Sequence, residues 1–238
     1  MSKTRINKFL SDRGICSRRG ADEHILIGDI SINGHVAKLG QIVDSETDAV
    51  LFKGKSISAE EVADQIILAF YKPGGVVSTF SHDEKPNLNS FFNNQKGLKY
   101  AGRLDKESEG LMVLSNDGDL INEISHPKFD HTKEYLIYAE DEKGDNDYKK
   151  ILSKMAGGVR IDGKLMKILS IDNFQKSGKR LKFTVTLGTG YNRQIRRMFA
   201  KMNIRIHKII RLRVGKLKLS DIDLEPGKYI EIDKNQII

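Results

Sequence analysis

The run Tyr100-Ala101-Gly102-Arg103-Leu104-Asp105-Lys106-Glu107-Ser108-Glu109-Gly110-Leu111-Met112-Val113-Leu114-Ser115-Asn116-Asp117-Gly118 constrains the fold more than any other part of the 238-residue chain. A guanidinium stands two residues from a carboxylate, a short polar loop follows, and an apolar strand over Leu111 to Ser115 ends in an Asn-Asp-Gly turn. Asp119 is then placed to start a helix at Leu120. Such a strand needs neighbours, and the chain supplies them. Gln65 to Tyr71 reads as a buried strand halted by Lys72-Pro73-Gly74-Gly75, and Glu134 to Ala139, Leu165 to Ile171 and Leu181 to Leu187 also read as strands. Residues 81 to 97, rich in Asn, Lys, Pro and Gly, read as a surface excursion with a short Leu88 to Phe92 helix. Many strands among few helices point to an α+β domain with a mixed, mainly antiparallel sheet flanked by helices, rather than a doubly wound one.

The first sixty residues read as a separate small module. Ile6, Phe9 and Leu10 recur at i, i+3 and i+4, so Arg5 to Arg13 is a helix ended by Gly14. Ser17 caps a second helix carrying Ala21, Ile25 and Leu26, with Gly28 beyond its end. Asp29-Ile30-Ser31-Ile32 then alternates, Asn33-Gly34 is a strong hairpin signal, and short strand-like pieces follow, among them Ala49 to Phe52. The acidic stretch Glu60 to Asp64 is helix-compatible and links this module to the rest. The boundary is set between residues 62 and 63, giving domains 1–62 and 63–238.

Charge is unevenly distributed. Residues 1–62 hold nine Lys/Arg against nine Asp/Glu, whereas residues 193–218 hold ten basic residues and no acid. The net charge is +8, so the chain outside that segment sums to about −2. A local basic tract of this kind suits a surface that tracks a polyanion. No apolar run reaches the ~20 residues needed to span a bilayer, and the single cysteine, Cys16, excludes an internal disulfide. A cytoplasmic protein with no membrane partner is expected. The six histidines (His24, His35, His82, His126, His131, His207) form no i, i+4 pair, so no metal is expected.

In Asn192 to Met202, apolar Ile195, Met198, Phe199 and Met202 share one helical face. At 100° per residue Arg196 lies ~100° from Ile195, while Arg193, Arg197 and Lys201 lie farther round, so Arg196 is the arginine most able to turn inward. Tyr135 and Tyr138, three apart on one strand, point to opposite faces and cannot serve one site. For Tyr138 the expectation is core packing.

These segments, in this order, resemble the pseudouridine synthases of the RsuA/RluB/RluE/RluF group. The resemblance rests on Tyr71-Lys72-Pro73-Gly74-Gly75-Val76-Val77-Ser78-Thr79, the Asp105 run, Lys133-Glu134-Tyr135 and Gln194-Ile195-Arg196-Arg197-Met198. Arg5 to Leu10, Cys16 to Arg19 and Gly28 to Gly34 are similar to the S4 RNA-binding domain. There is one departure: the family commonly reads Glu-Gly-Arg-Asn-Arg-Gln before its arginine helix, and here the chain reads Gly188-Thr189-Gly190-Tyr191-Asn192-Arg193-Gln194. An aromatic replaces a basic contact.

The resemblance implies an enzyme that isomerises uridine to pseudouridine in ribosomal RNA, with large-subunit RNA favoured over small. Asp105 would act at the ribose of a flipped-out uridine, Arg196 would pair with it, and Tyr135 would stack on the base. Arg103 and Ile209 would hold the nucleotide. RNA contacts are implied at Lys8, Arg13, Ser17, Arg18, Arg19 and Asn33 in the S4-like module, and at Lys72, Arg193, Arg197, Arg211 and Arg213 beyond it. The reaction breaks an N-glycosidic bond, turns the base and rejoins it through C5, so one ionised carboxylate beside C1′ suffices and no cofactor is called for. The expected partner is ribosomal RNA or an assembly intermediate, and a monomer is expected. The competing reading is a non-catalytic S4-type RNA-binding factor for ribosome assembly. It accounts for the charge and leaves Asp105 and Tyr135 unexplained. A methyltransferase would need a Gly-rich loop after a strand, and Lys72-Pro73-Gly74-Gly75 has the wrong spacing. A glycosidase would have to find its second carboxylate at Glu107 or Glu109, and would leave the arginine helix unexplained.

Overall fold

Alternation of apolar residues over short spans builds sheets in both parts of the chain, and the computed structural model describes residues 3–57, 65–81, 83–92, 95 and 97–238. The chain divides after Ile66 into two compact units, the first also taking in short pieces at Lys99 and Ser115–Gly118.

In the first unit, β1 (Lys3–Arg5) leads into α1 (Ile6–Asp12), and α2 (Arg18–Leu26) follows a turn. Ile6, Phe9 and Leu10 of α1 meet Ala21 and Ile25 of α2 in one buried cluster with Ile30, Val43 and Val50. Ser17 caps α2, its Oγ accepting from Gly20 N at 3.0 Å. The strands are β2 (Ile30–Ile32), β3 (His35–Val36), β4 (Ile42–Asp44), β5 (Val50–Phe52) and β6 (Lys55–Ile57). Four of them form an antiparallel sheet in the order β3-β2-β5-β6, and β1 pairs with β4. The β2–β3 turn has positive φ at both central residues, 51° at Asn33 and 81° at Gly34, the pair of values a type I′ turn requires. The stretch Glu60 to Asp64 and the boundary at 62/63 lie outside the described residues.

The second unit begins with β7 (Ile67–Lys72), followed by β8 (Lys99–Tyr100), β9 (Glu109–Ser115), α3 (Gly118–Ser125), β10 (Lys133–Asp141) and α4 (Tyr148–Gly157). The hairpin β11 (Val159–Ile161) and β12 (Lys164–Met166) precedes β13 (Ser170–Ser177), β14 (Arg180–Leu187), α5 (Gln194–Ala200), β15 (Ile204–Val214), β16 (Leu217–Lys218) and β17 (Tyr229–Glu231). Seven strands follow the path β13-β14-β10-β15-β9-β7-β17, with β16 beside β15. Strands β13, β14, β10 and β15 pair antiparallel in turn, and β9 runs parallel to β15. The sheet is thus mixed and mainly antiparallel, and the fold is α+β.

Strands β7 and β9 carry unbroken apolar runs, Ile67 to Phe70 and Leu111 to Leu114, because both their faces are covered there. Ile67, Ala69, Leu111 and Val113 join a core with Leu120 and Ile124 of α3 and with Val214 and Ile237. Phe70, on the other face of β7, packs its ring against Phe91 and Phe92 at 5.1 Å.

Three local expectations change. The strand expected over Leu165 to Ile171 is two: β12 closes on β11, the chain turns, and β13 starts at Ser170 beside β14. Helix α4, with only Ile151 and Met155 fully inward, has too narrow an apolar stripe to have stood out. The acid-free basic tract is largely the eleven-residue strand β15, in the middle of the sheet.

A candidate active site at the Asp105 loop

Asp105 lies in the loop before β9. Leu104 exchanges two hydrogen bonds with buried Ser78: Ser78 Oγ donates to Leu104 O at 2.7 Å, and Leu104 N donates to Ser78 Oγ at 3.2 Å. Lys106 O accepts from Gly75 N at 2.7 Å and from Lys72 Nζ at 3.3 Å. Ser108 N closes the turn on Asp105 O at 3.0 Å. The segment Tyr71 to Thr79 therefore braces the loop on both sides of Asp105, which gives that motif a physical purpose.

Lys72 is corrected by this arrangement. It is wholly buried, its ammonium also donating to Pro73 O at 2.8 Å and Val76 O at 2.7 Å. Burial lowers its pKa to about 8, against opposing pulls from Glu109, Glu107 and Asp105. A side chain with no exposed surface does not meet an RNA phosphate.

Asp105, Tyr135, Arg196, Arg103 and Ile209 line one cleft, so the five residues expected at the reaction centre converge from four chain segments. Tyr135, 8% exposed, reaches it from β10 and buried Ile209 from β15, where the two strands are in register around Ile137 and Ile209. Tyr138 points the opposite way, as the strand period requires, but it is 37% exposed and so is not a core residue. Lys182 lies 5.7 Å above its ring.

Arg196 is the most inward of the three helix arginines. Its Nε stands 3.8 Å from Asp105 Oδ2, an ion pair longer than a hydrogen bond. Its Nη1 donates to Ile206 O at 2.8 Å, while Nε and Nη2 are buried with no hydrogen-bond partner in the protein. Burial, and then the neighbouring Arg193 charge, push its pKa down; Asp105 and Glu107 pull it up. Arg193, expected on RNA phosphates, is half-exposed with Nη1 3.7 Å from Asp105 Oδ2 and 3.4 Å from Glu107 Oε2.

The remaining basic residues divide. Arg197 is paired with Asp162 of the β11–β12 turn. Arg211 is 1% exposed, with Nε donating to Leu111 O at 2.6 Å. Its expected RNA contact is overturned, and the cause is the irregular register of β10 and β15 between Tyr138 and Ala139: inward positions run Ile204, Ile206, then Ile209 and Arg211. Arg213 is spent on Glu134 at 3.3 Å, Thr132 Oγ1 at 2.9 Å and Gly215 O at 2.8 Å. In the first unit, Lys8 and Arg18 line a groove with Lys3 and Arg5, and Arg18 and Arg19 are exposed. Lys8 pairs with Asp12 at 2.7 Å and the Arg13 guanidinium stacks 3.6 Å over Phe9. Asn33 braces its own turn, Nδ2 donating to Asp48 Oδ1 and Oδ1 accepting from Ala49 N, both at 2.8 Å, so its side chain is committed to the fold.

Among the cleft residues not anticipated as site residues, two stand out. Tyr191 is 39% exposed on its wall, and Gln194, 3% exposed, stands behind it. The signal for Tyr191 was its place at the departure from the family pattern. Among the described residues no group of three His, Cys, Asp or Glu could hold a metal, and no helix is long and apolar enough to cross a membrane.

The family model for RNA pseudouridylate synthase matches residues 66–201. The chain is 37% identical to the dual-specificity RNA pseudouridine synthase RluF of Escherichia coli O157:H7, across 100% of this chain and 78% of that one. It is 30% identical to an uncharacterized RNA pseudouridine synthase of Aquifex aeolicus (98% of this chain, 94% of that one). It is 29% identical to the ribosomal large subunit pseudouridine synthase B of Xylella fastidiosa (98% of this chain, 50% of that one). A crystal structure of a pseudouridylate synthase superposes with a TM-score of 0.65 at 24% identity, over 98% of this chain and 97% of that one, so the two share a fold. The chain belongs to the RNA pseudouridylate synthase family, in its RsuA/RluB/RluE/RluF group, and is a pseudouridine synthase.

Proposed function

We propose that this enzyme converts one uridine of ribosomal RNA into pseudouridine, with Asp105 acting at C1′ of a nucleotide flipped into the cleft. The observation that carries the reading is the convergence of Asp105, Arg196, Tyr135, Arg103 and Ile209 on one cleft. The N1–C1′ bond breaks, the uracil turns, C5 bonds to C1′, and the C5 proton is lost while N1 gains one. The Asp105 carboxylate needs to be held in one orientation for this, and the Arg196 guanidinium beside it supplies the orienting charge. The two unpartnered donors of Arg196 favour a site that tightens when substrate arrives, since catalytic hydrogen bonds are often long before the complex forms. Tyr135 and Ile209 sandwich the base, and stacking offsets the few kcal/mol of flipping. Arg103 holds the nucleotide's phosphate from the exposed rim.

Large-subunit RNA is the favoured substrate, consistent with the name of the Xylella relative. The first unit acts as an S4-type RNA-binding module, its groove of Lys3, Arg5, Lys8 and Arg18 facing phosphates. The protein works as a monomer in the cytoplasm, on rRNA or an assembly intermediate.

Pseudouridine mapping of rRNA from cells with and without the gene tests the reading. One modified uridine should vanish, and return with the wild-type gene. Asp105→Asn should bind rRNA and melt cooperatively yet restore nothing; turnover near wild type in that variant would remove Asp105 from the chemistry. An unchanged map with impaired ribosome assembly would favour the non-catalytic assembly factor.

A further inference from the structure

The cleft continues past the reaction centre to a wall that none of the five convergent residues forms. Its exposed element is Tyr191, in the six-residue segment Gly188–Arg193 between β14 and α5. An aromatic ring half exposed on the wall of an open cleft gains little from packing alone, and this one is flanked by a cation: Lys164 Nζ lies 5.4 Å from its centroid.

Ring and cation come from different parts of the chain and are tied together by one buried side chain. Gln194 Oε1 accepts from Tyr191 N and from Thr189 Oγ1, both at 3.2 Å, and its Nε2 donates to Lys167 O at 3.0 Å. Lys167 directly follows β12, the strand that begins with Lys164. The Arg197–Asp162 pair pins the other end of the same hairpin to α5. The amide of Gln194 thus holds the backbone of the aromatic segment and that of the cationic hairpin at once, which keeps the two side chains' attachment points together.

We infer that Tyr191 and Lys164 form a binding subsite for the nucleotide next to the target uridine: the base stacks on the Tyr191 ring and its phosphate pairs with the Lys164 ammonium. A π-face beside a basic group is the chemistry of single-stranded RNA recognition, and it accepts any base. When a uridine leaves its stack, its neighbour loses a stacking partner, and Tyr191 supplies a replacement. The subsite would thereby lower the cost of flipping while leaving bond making to Asp105. This inference rests on the enzyme's acting on RNA in the cleft.

The test uses the full chain and two hairpin RNAs whose loop holds a single uridine, with 2-aminopurine on its 5′ side in one and on its 3′ side in the other. Binding is read by 2-aminopurine fluorescence at several salt concentrations, and turnover separately. Wild type and Tyr191→Phe should quench one probe of the two. Tyr191→Ala should bind about tenfold more weakly and leave that probe unquenched, and Lys164→Ala should lower the salt slope by about 1. Because Tyr191 is at the surface, melting temperatures should stay within a few degrees of wild type. Equal quenching and affinity for Tyr191→Ala and wild type overturn the subsite, whatever the turnover. Quenching that depends on Tyr191 without any turnover would instead leave the subsite standing and overturn the catalytic reading.

Discussion

Arg196 Nε stands 3.8 Å from Asp105 Oδ2, while Arg197, one residue on, is turned away to Asp162. A rotation of 100° along a seven-residue helix separates a charge facing the cleft from one that fastens a hairpin. Arg196→Ala should therefore lower kcat by about a hundredfold or more, as expected for losing a largely enclosed charge beside the reacting carboxylate. Arg197→Ala should change kcat less than about threefold and cost up to about 1 kcal/mol of stability, the range for a surface ion pair. Single-turnover kinetics with saturating enzyme compares them directly. Equal losses of turnover would mean that the helix phase does not select the functional arginine.

Arg193 offers a second, separable prediction. It caps α5 with φ at 48°, a left-handed conformation that glycine adopts more readily than any residue with a Cβ. Arg193→Gly should be more stable than Arg193→Ala by about 1 kcal/mol, while both lose the same charge beside Asp105 and Glu107. Chemical denaturation resolves that difference. Their kinetic defects should agree within about twofold; a markedly worse Arg193→Ala would assign the defect to backbone strain.

Gly110 sits where β9 and β15 run parallel, in register at Glu109–Ile210 and Gly110–Arg211. Its φ is 108°, and a Cβ there would overlap the backbone N and O of Arg211. The close approach sets the Asp105 loop against the strand that carries Ile209. Gly110→Ala should destabilise by about 3 kcal/mol, combining overpacking with a strained φ. Urea denaturation reads the value, and a loss below about 1 kcal/mol would show that the strands can separate at little cost.

Much of this was legible in the sequence, and the buried basic residues that were misplaced share one cause. Asn33-Gly34, Ser17, the inward turn of Arg196 and the opposed faces of Tyr135 and Tyr138 follow from local geometry, and the structure agrees with each. For Lys72, Arg211 and Arg213 the resemblance implied RNA contacts, which require an exposed charge. What reversed them is tertiary: backbone carbonyls of the Asp105 loop enclose Lys72, and an irregular strand register turns Arg211 inward. Neither the register nor the carbonyls leave a mark in the order of residues. Tyr191 was visible only as a departure from the family pattern, and its part in the cleft emerged with Gln194 behind it.

Two buried lysines give a pH signature. Burial lowers the pKa of Lys72 and of Lys133 from 10.5 to about 8, the charge of Arg211 adding to the effect at Lys133. Between pH 8 and 10.5 the unfolded chain therefore holds more protons than the folded one, and stability rises with pH through that window. Each lysine contributes on the order of 3 kcal/mol, present above the unfolded value and lost as pH falls through about 8. Lys133 donates to Ile124 O at 3.4 Å and His131 O at 3.0 Å, away from the Asp105 loop. Lys133→Met should therefore flatten part of the slope without touching the reaction. Unfolding free energies at pH 7, 8, 9 and 10 test this, and an equal slope in wild type and Lys133→Met would mean that the ammonium stays charged throughout.

The first unit should contribute affinity and leave chemistry alone. Its groove brings together Lys3, Arg5, Lys8 and Arg18, and Arg5 and Arg18 are exposed. Neither supports the core, which is formed by Ile6, Phe9, Leu10, Ala21 and their apolar neighbours. If the groove holds RNA phosphates, Arg5→Ala and Arg18→Ala should each reduce the slope of log K against log salt by about 1, in line with one released counterion per phosphate contact. Kd at low salt should rise several-fold, and kcat at saturating rRNA should be unchanged, because the lost contact acts equally on bound substrate and transition state. Filter binding between 50 and 200 mM salt measures the slope. A Kd that rises by the same factor at every salt concentration would show that these arginines act through shape or structure and make no phosphate contact.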